Sequence, residues 1–152
     1  MKQLQSKYFT LEEFTKSQTA TRLGLDNAPN DEVIESLNWL CMKVLDPLRA
    51  KIKRAIIISS GYRSINLNKA VGGVSDKEKI SQHTLGQAAD IYCPGMTPKE
   101  LFDYIIKETK LPFDQLILEF DQWVHISYNR NVQRGTKMIA KKILNKTEYQ
   151  YV

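Results

Sequence analysis

Two histidines, His83 and His125, and two cysteines, Cys41 and Cys93, are all that this chain of 152 residues carries of those side chains. Two cysteines are too few for a disulfide framework, and neither stands in a Cys-x-x-Cys pair. Cys41 falls in the apolar helical stretch WLCMKVL and reads as core. Cys93 follows an apolar segment just before a proline. A metal ligand or nucleophile is conceivable there, but a packed thiol is the plainer reading. No apolar run approaches the ~18 residues of a membrane span. The opening MKQLQSKYFTLEEF has no apolar stretch behind its lysines, so no secretory signal is expected and synthesis in the cytoplasm is. Internal repeats, low-complexity tracts and a domain boundary are also missing. One domain over residues 1–152 with one core is therefore expected.

What is present fits an ordinary globular chain, 42% hydrophobic and 26% charged. The net charge of +5 comes from one place. Residues 129–152 hold Arg130, Arg134, Lys137, Lys141, Lys142 and Lys146 against the single acid Glu148, and the rest balances at sixteen against sixteen. Such a segment suits an anionic polymer, or, more simply, a solvated edge strand or helix, with lysines that discourage edge pairing. No nucleic-acid motif accompanies the charge, so nucleic-acid binding is not expected.

Local signals outline the fold. Thr10-Leu-Glu-Glu13 is a capping box that opens a short helix. TKSQTATRLGLDNAPN reads as an irregular connector. Asn30 or Asp31 caps a long helix whose Val33, Ile34, Leu37, Leu40, Val44, Leu45 and Leu48 share one face, and Pro47 should kink it or end its regular part. Ala55–Ile58 is short, β-branched and apolar, the pattern of a buried strand. Residues 64–71 suit a short helix, and VGGVSDKEKISQH a loop. Ala88–Tyr92 reads as a strand. Thr97-Pro-Lys-Glu100 is a second capping box with proline at the first helical position, for a helix to about Glu108. Gln115–Glu119 and Trp123–Tyr128 form a hairpin. Helices first, then mostly strands, imply an α+β domain with a small antiparallel sheet packed against N-terminal helices.

A buried neutral histidine needs a partner, and His125 lies inside an apolar strand. His83 and Asp90 are seven residues apart. Two helical turns would separate them by ~10 Å, and a continuous strand would put them on opposite faces. They can share an ion only if the chain turns between them, which Gly86 permits. Two histidines, one aspartate and an open fourth position make a catalytic zinc arrangement. A general base is then needed nearby. If the hairpin loop is Phe120-Asp121-Gln122, Glu119 pairs opposite Trp123 on the face that shows His125. A two-residue loop would turn it to the wrong face. Asp121 is the competing acid, more simply a turn residue.

At this point SQHTLGQAADI resembles the Ser-x-His-x-x-Gly-x-Ala-x-Asp signature of the M15 zinc peptidases, which include D-alanyl-D-alanine carboxypeptidases, dipeptidases and phage endolysins that cut peptidoglycan peptides. SSGYRS is similar to that family's upstream segment and WVHIS to its last ligand segment. The likeness covers roughly residues 8–130 and is nearest to short phage-type and prophage-type members. It implies His83, Asp90 and His125 as zinc ligands, Ser81 as a residue that binds substrate or orients the site, and Arg63 as a binder of a substrate carboxylate or the developing oxyanion. Without the family, Ser81 reads as a loop cap, Arg63 as a surface ion pair and Tyr62 as core. Many members carry their acid three residues before the last histidine, where Gln122 stands. Others of the wider fold, hedgehog domains among them, have it six before, where Glu119 stands. The resemblance implies a Zn2+ peptidase acting on peptidoglycan stem peptides, with Glu119 as base. The alternative is a catalytically silent, zinc-stabilised module that binds cell wall or protein. A monomer is expected, reaching the wall after release or export.

Overall fold

In the computed structural model the described residues are 1–73 and 80–152. Residues 74–79 of the glycine-rich loop before His83 lie outside them. Helix α1 (Leu11–Thr15) opens where its capping box predicts, with the Glu13 carboxylate accepting from Thr10 N–H at 2.7 Å. Asn30 caps α3 (Asp31–Leu40) by accepting from Val33 N–H at 2.9 Å. Pro47 does not end the helical run. A π-helical turn over Cys41–Leu45 carries it into α4 (Asp46–Ile52), with the proline in the first turn of α4. Proline lacks the N–H that a regular helix would use there, and the widened turn just before it accommodates the loss. The apolar face continues across the bulge: Val33, Ile34, Leu37, Leu40, Val44, Leu45 and Leu48 are all buried. Cys41 is buried among them, and burial pushes its thiol up to about 12. Cys93 is a second buried, free thiol.

Two elements differ from expectation. The connector after α1 contains a helix, α2 (Gln18–Leu23), with Ser17 accepting from Ala20 N–H and Gly24 closing it at φ +65°. Six residues with Ala20 alone buried show no apolar stripe, so their periodicity was silent. Strand β1 is Ile57–Ser60 rather than Ala55–Ile58, and it is an edge strand, half-buried rather than fully covered. Its limits are set by pairing with β2 (Ala88–Tyr92), Ile57 opposite Tyr92 and Ser60 opposite Asp90, with a bulge between Ile58 and Ser60. Helix α5 (Ile65–Ala70) follows, capped by Ser64. Helix α6 (Pro98–Glu108) has its full capping box: Glu100 N–H donates to Thr97 Oγ1 and Thr97 N–H to Glu100 Oε1, both at 3.1 Å.

Strands β3 (Gln115–Glu119), β4 (Trp123–Ser127), β5 (Thr136–Ile143) and β6 (Lys146–Tyr151) complete a sheet ordered β1-β2-β4-β3-β5-β6. The architecture is α+β, as expected. Of the five strand pairs among the described residues, one departs from the antiparallel pattern: β5 runs parallel to β3, with Gln115 opposite Thr136 and Glu119 opposite Ala140. The basic segment thus supplies two strands, and β6 is the second edge, solvated over most of its length. Alternation sorts the sheet into two faces. Ala89, Ile91, Leu116, Leu118, Val124 and Ile126 join the helices in one core. Asp90, His125, Ile117 and Glu119 point the other way.

Candidate metal centre

Asp90 on β2 and His125 on β4 are direct cross-strand partners. His83 reaches them from the preceding turn. The carboxylate Oδ1 of Asp90 lies 3.3 Å from His83 Nε2 and 3.1 Å from His125 Nδ1, and one ligand atom from each residue lies within 4.8 Å of the others. All three residues are buried. Two donors ~2.0–2.2 Å from a shared tetrahedral ion sit roughly 3.3 Å apart, close to the spacing of Asp90 from each histidine.

The donor chemistry fits a cation. His83 Nδ1 is 2.7 Å from the carbonyl oxygen of Gly61. A carbonyl can only accept, so Nδ1 carries the hydrogen and Nε2 presents its lone pair. That lone pair and a carboxylate oxygen face each other in a buried pocket, an arrangement that needs a cation or a second proton between them. Burial alone would raise Asp90. The charges and hydrogen bonds of His83 and His125 outweigh it and hold the carboxyl well below its ordinary range.

Two glycines make the geometry. The chain turns between His83 and Asp90 at Gly86, with φ +72°. A Cβ on Gly86 would meet the Val33 carbonyl oxygen at 2.6 Å, so the turn lies directly on α3. Gly61 passes as closely over α1, where a Cβ would stand 2.7 Å from Phe14 backbone atoms. Its carbonyl is thereby aimed at His83, and Arg63 N–H donates back to His83 C=O at 3.2 Å. The segments SSGYRS and SQHTLG are thus laced together. We expect Gly86→Ala to cost about 1–3 kcal/mol of stability from the left-handed backbone and the close approach. Urea denaturation beside the parent would show it, and an unchanged midpoint would contradict the reading.

The hairpin loop has three residues. Glu119 pairs with Trp123, and His125 with Ile117, so Glu119 lies diagonal to His125 on the same face. Phe120 and Asp121 both take positive φ, and Gln122 N–H closes the turn on Glu119 C=O at 2.9 Å. Asp121 and Gln122 are exposed there. Burial raises Glu119 above its ordinary value and the charge of Asp90 adds to the rise, while His125 and Arg63 oppose it. Arg63 is half-buried and lowered by that burial, against the charges of Asp90 and Glu119. Its Nε is buried and has no hydrogen-bond partner among the described residues. The indole Nε1 of Trp123 is in the same condition. Ser81 accepts from His83 N–H at 3.3 Å, the loop cap its residue type suggested. Tyr62 is half-buried and packs against the core.

The His-Asp-His group, Glu119, Arg63 and Trp123 line an open cleft of about 1340 Å³ that also takes in Ser17 and Gln18 from the start of α2. A family model described as Peptidase M15 matches residues 7–127. The chain belongs to the peptidase M15 family. No curated protein matches it. M15 members are metallopeptidases, and the His-Asp-His group of this one could hold the metal. The M15 match stops at the end of β4, so β5 and β6 lie beyond it.

Sequence reasoning missed what steadies the M15 centre from below. Asp114, buried ahead of β3, accepts from Arg134 N–H, Nε and Nη2 at 3.0, 2.8 and 2.8 Å and from Gln82 Nε2 at 2.8 Å. Gln82 precedes His83, so this cluster ties the ligand turn to the link that crosses the end of β3 into β5. In sequence Asp114 looks like any loop acid. Nothing local marks it as buried, because its burial comes from a crossover made 20 residues later.

Proposed function

We propose that this M15 chain is a zinc metallopeptidase that hydrolyses peptide bonds in the stem peptides of bacterial peptidoglycan, either as a D-Ala-D-Ala carboxypeptidase or as an endolysin-type L-Ala-D-Glu endopeptidase. The observation that carries the reading is the register of one face: a buried His-Asp-His group with a half-buried carboxylate diagonal to it. A structural metal site would need no such acid beside it.

Bound zinc supplies positive charge that polarises a carbonyl and acidifies water in the site. Glu119, raised by burial, is suited to take a proton from the attacking water and pass it to the leaving amine. Arg63 lines the same cleft, its Nε without a hydrogen-bond partner among the described residues, and its planar guanidinium suits a carboxylate or a developing oxyanion. Ser81 acts through His83, whose backbone it holds. The exposed Gln122 leaves the base role to Glu119. The wall is reached after release or export, and the protein works as a monomer.

The test is to incubate zinc-loaded protein with purified peptidoglycan and defined stem peptides and follow product masses, with a chelated sample alongside. We expect one discrete hydrolysis product, lost on chelation while far-ultraviolet circular dichroism persists. No product from any wall peptide, with zinc shown to be bound, would favour the silent binding module. Unfolding on chelation would point to a structural metal.

A further inference from the structure

The cleft has a wall that the M15 match does not cover. Lys142, Thr147 and Tyr149 all line it. The strand register gives the same answer independently. Ala140 sits between Glu119 on one side and Tyr149 on the other, and Lys142 pairs with Thr147. Directly paired residues share a face, and so do residues two apart along a strand. Tyr149, Thr147 and Lys142 therefore stand on the face of the metal group, with only the methyl of Ala140 between Tyr149 and Glu119.

The chemistry of this wall is that of an anion acceptor. Lys142 forms no ion pair among the described residues, and its ammonium lies over the Phe120 ring at 5.6 Å. Thr147 and Tyr149 add two hydroxyl donors. Tyr149 is half-exposed; its partial desolvation and the charge of Glu119 raise the phenol, so it keeps its proton. Arg134 lines the cleft too, but Asp114 already engages it. Two to three strand spacings across and two to four residues along put these three residues roughly 15–20 Å from His125, backbone to backbone. Their side chains reach back several ångströms, and roughly three to five residues of extended peptide span what remains.

We infer that Lys142, Thr147 and Tyr149 form a carboxylate subsite that selects peptides bearing an acidic group roughly three to five residues from the metal centre. The inference rests on the peptidase reading for its ligand class, a peptide, and sets which peptides are preferred.

The probe is a ladder of acetylated, amidated alanine peptides of two to six residues with one glutamate at an end, against the same ladder with glutamine there. Binding to the zinc-loaded full chain carrying Glu119→Gln is measured by titration calorimetry, so turnover does not intrude. At one length the glutamate peptide should bind about three- to ten-fold tighter than its glutamine partner. Lys142→Met should erase that preference, Lys142→Arg should keep it, and added salt should shrink it. Equal binding of both ladders at every length overturns the subsite. So does a preference that survives Lys142→Met, or no measurable binding of any glutamate peptide. Hydrolysis by the unsubstituted protein is scored separately. Products without a preference leave the peptidase and remove the subsite; a preference without products does the reverse.

Discussion

Replacing Glu119 by glutamine is expected to lower hydrolysis of a wall peptide by about 10²- to 10⁴-fold, the usual contribution of a positioned general base. Glutamine keeps the size and hydrogen-bonding shape of the residue but cannot take a proton. The three-residue turn that sets the register is untouched, as is the pairing of Glu119 with Trp123. Zinc content should stay at one per chain, because His83, Asp90 and His125 are unchanged. The measurement is kcat/KM on the peptide that gives a product, with metal analysis of the same sample. Retention of full activity would remove Glu119 from the mechanism. A loss of zinc together with activity would show that the side chain supports the metal rather than the proton transfer.

Arg134→Met should cost about 2–4 kcal/mol at neutral pH, because it strips a buried carboxylate of its charged partner. Asp114 is fully buried, whereas the Arg134 side chain is half-exposed, so the estimate is set by the carboxylate left behind. The pH dependence identifies the cause. Burial alone would raise Asp114, but the Arg134 hydrogen bonds, that of Gln82 and the Arg134 charge together hold it below its ordinary value. A depressed folded pKa contributes stability that is present above the unfolded value of about 3.9 and lost as pH falls toward the lower folded one. In the variant the carboxylate is buried without that partner, so its advantage disappears. The difference between the two proteins should therefore be wide at pH 7 and close in acid. Urea denaturation at a series of pH values would show this, and a gap independent of pH would mean that lost packing, not charge, is responsible. Because Gln82 hangs on the same carboxylate beside His83, zinc affinity should fall as well, by about 10- to 100-fold.

Much of this protein was legible in its residues. Both capping boxes lie where Thr10 and Thr97 announce them, and the apolar face of residues 33–48 is the buried face of α3, the π turn and α4. Helix spacing and caps are local properties, decided within a few residues of chain, so they survive being read without the fold. The three candidate ligands were legible as well, because histidine is so scarce here, because Gly86 permits the turn between His83 and Asp90, and because the segments around them resemble the M15 signature.

What the residues left open was register and company. Whether Glu119 faced His125 or turned away depended on one residue in a hairpin loop, and only the pairing of β3 with β4 decided it. The position of β1 followed from its bulged pairing with β2, not from where its apolar run began. The Gly61 carbonyl that orients His83, the Asp114–Arg134 cluster and the β5–β6 wall join residues 20 or more apart in sequence. The sequence by itself determined most of the helices, their caps and the set of candidate metal-ligating side chains, since each of those is a matter of nearby residues and residue type. The tertiary structure alone decided which carboxylate stands beside the ligands and what encloses the cleft, since cross-strand pairing brings distant side chains to one face and no local pattern encodes it.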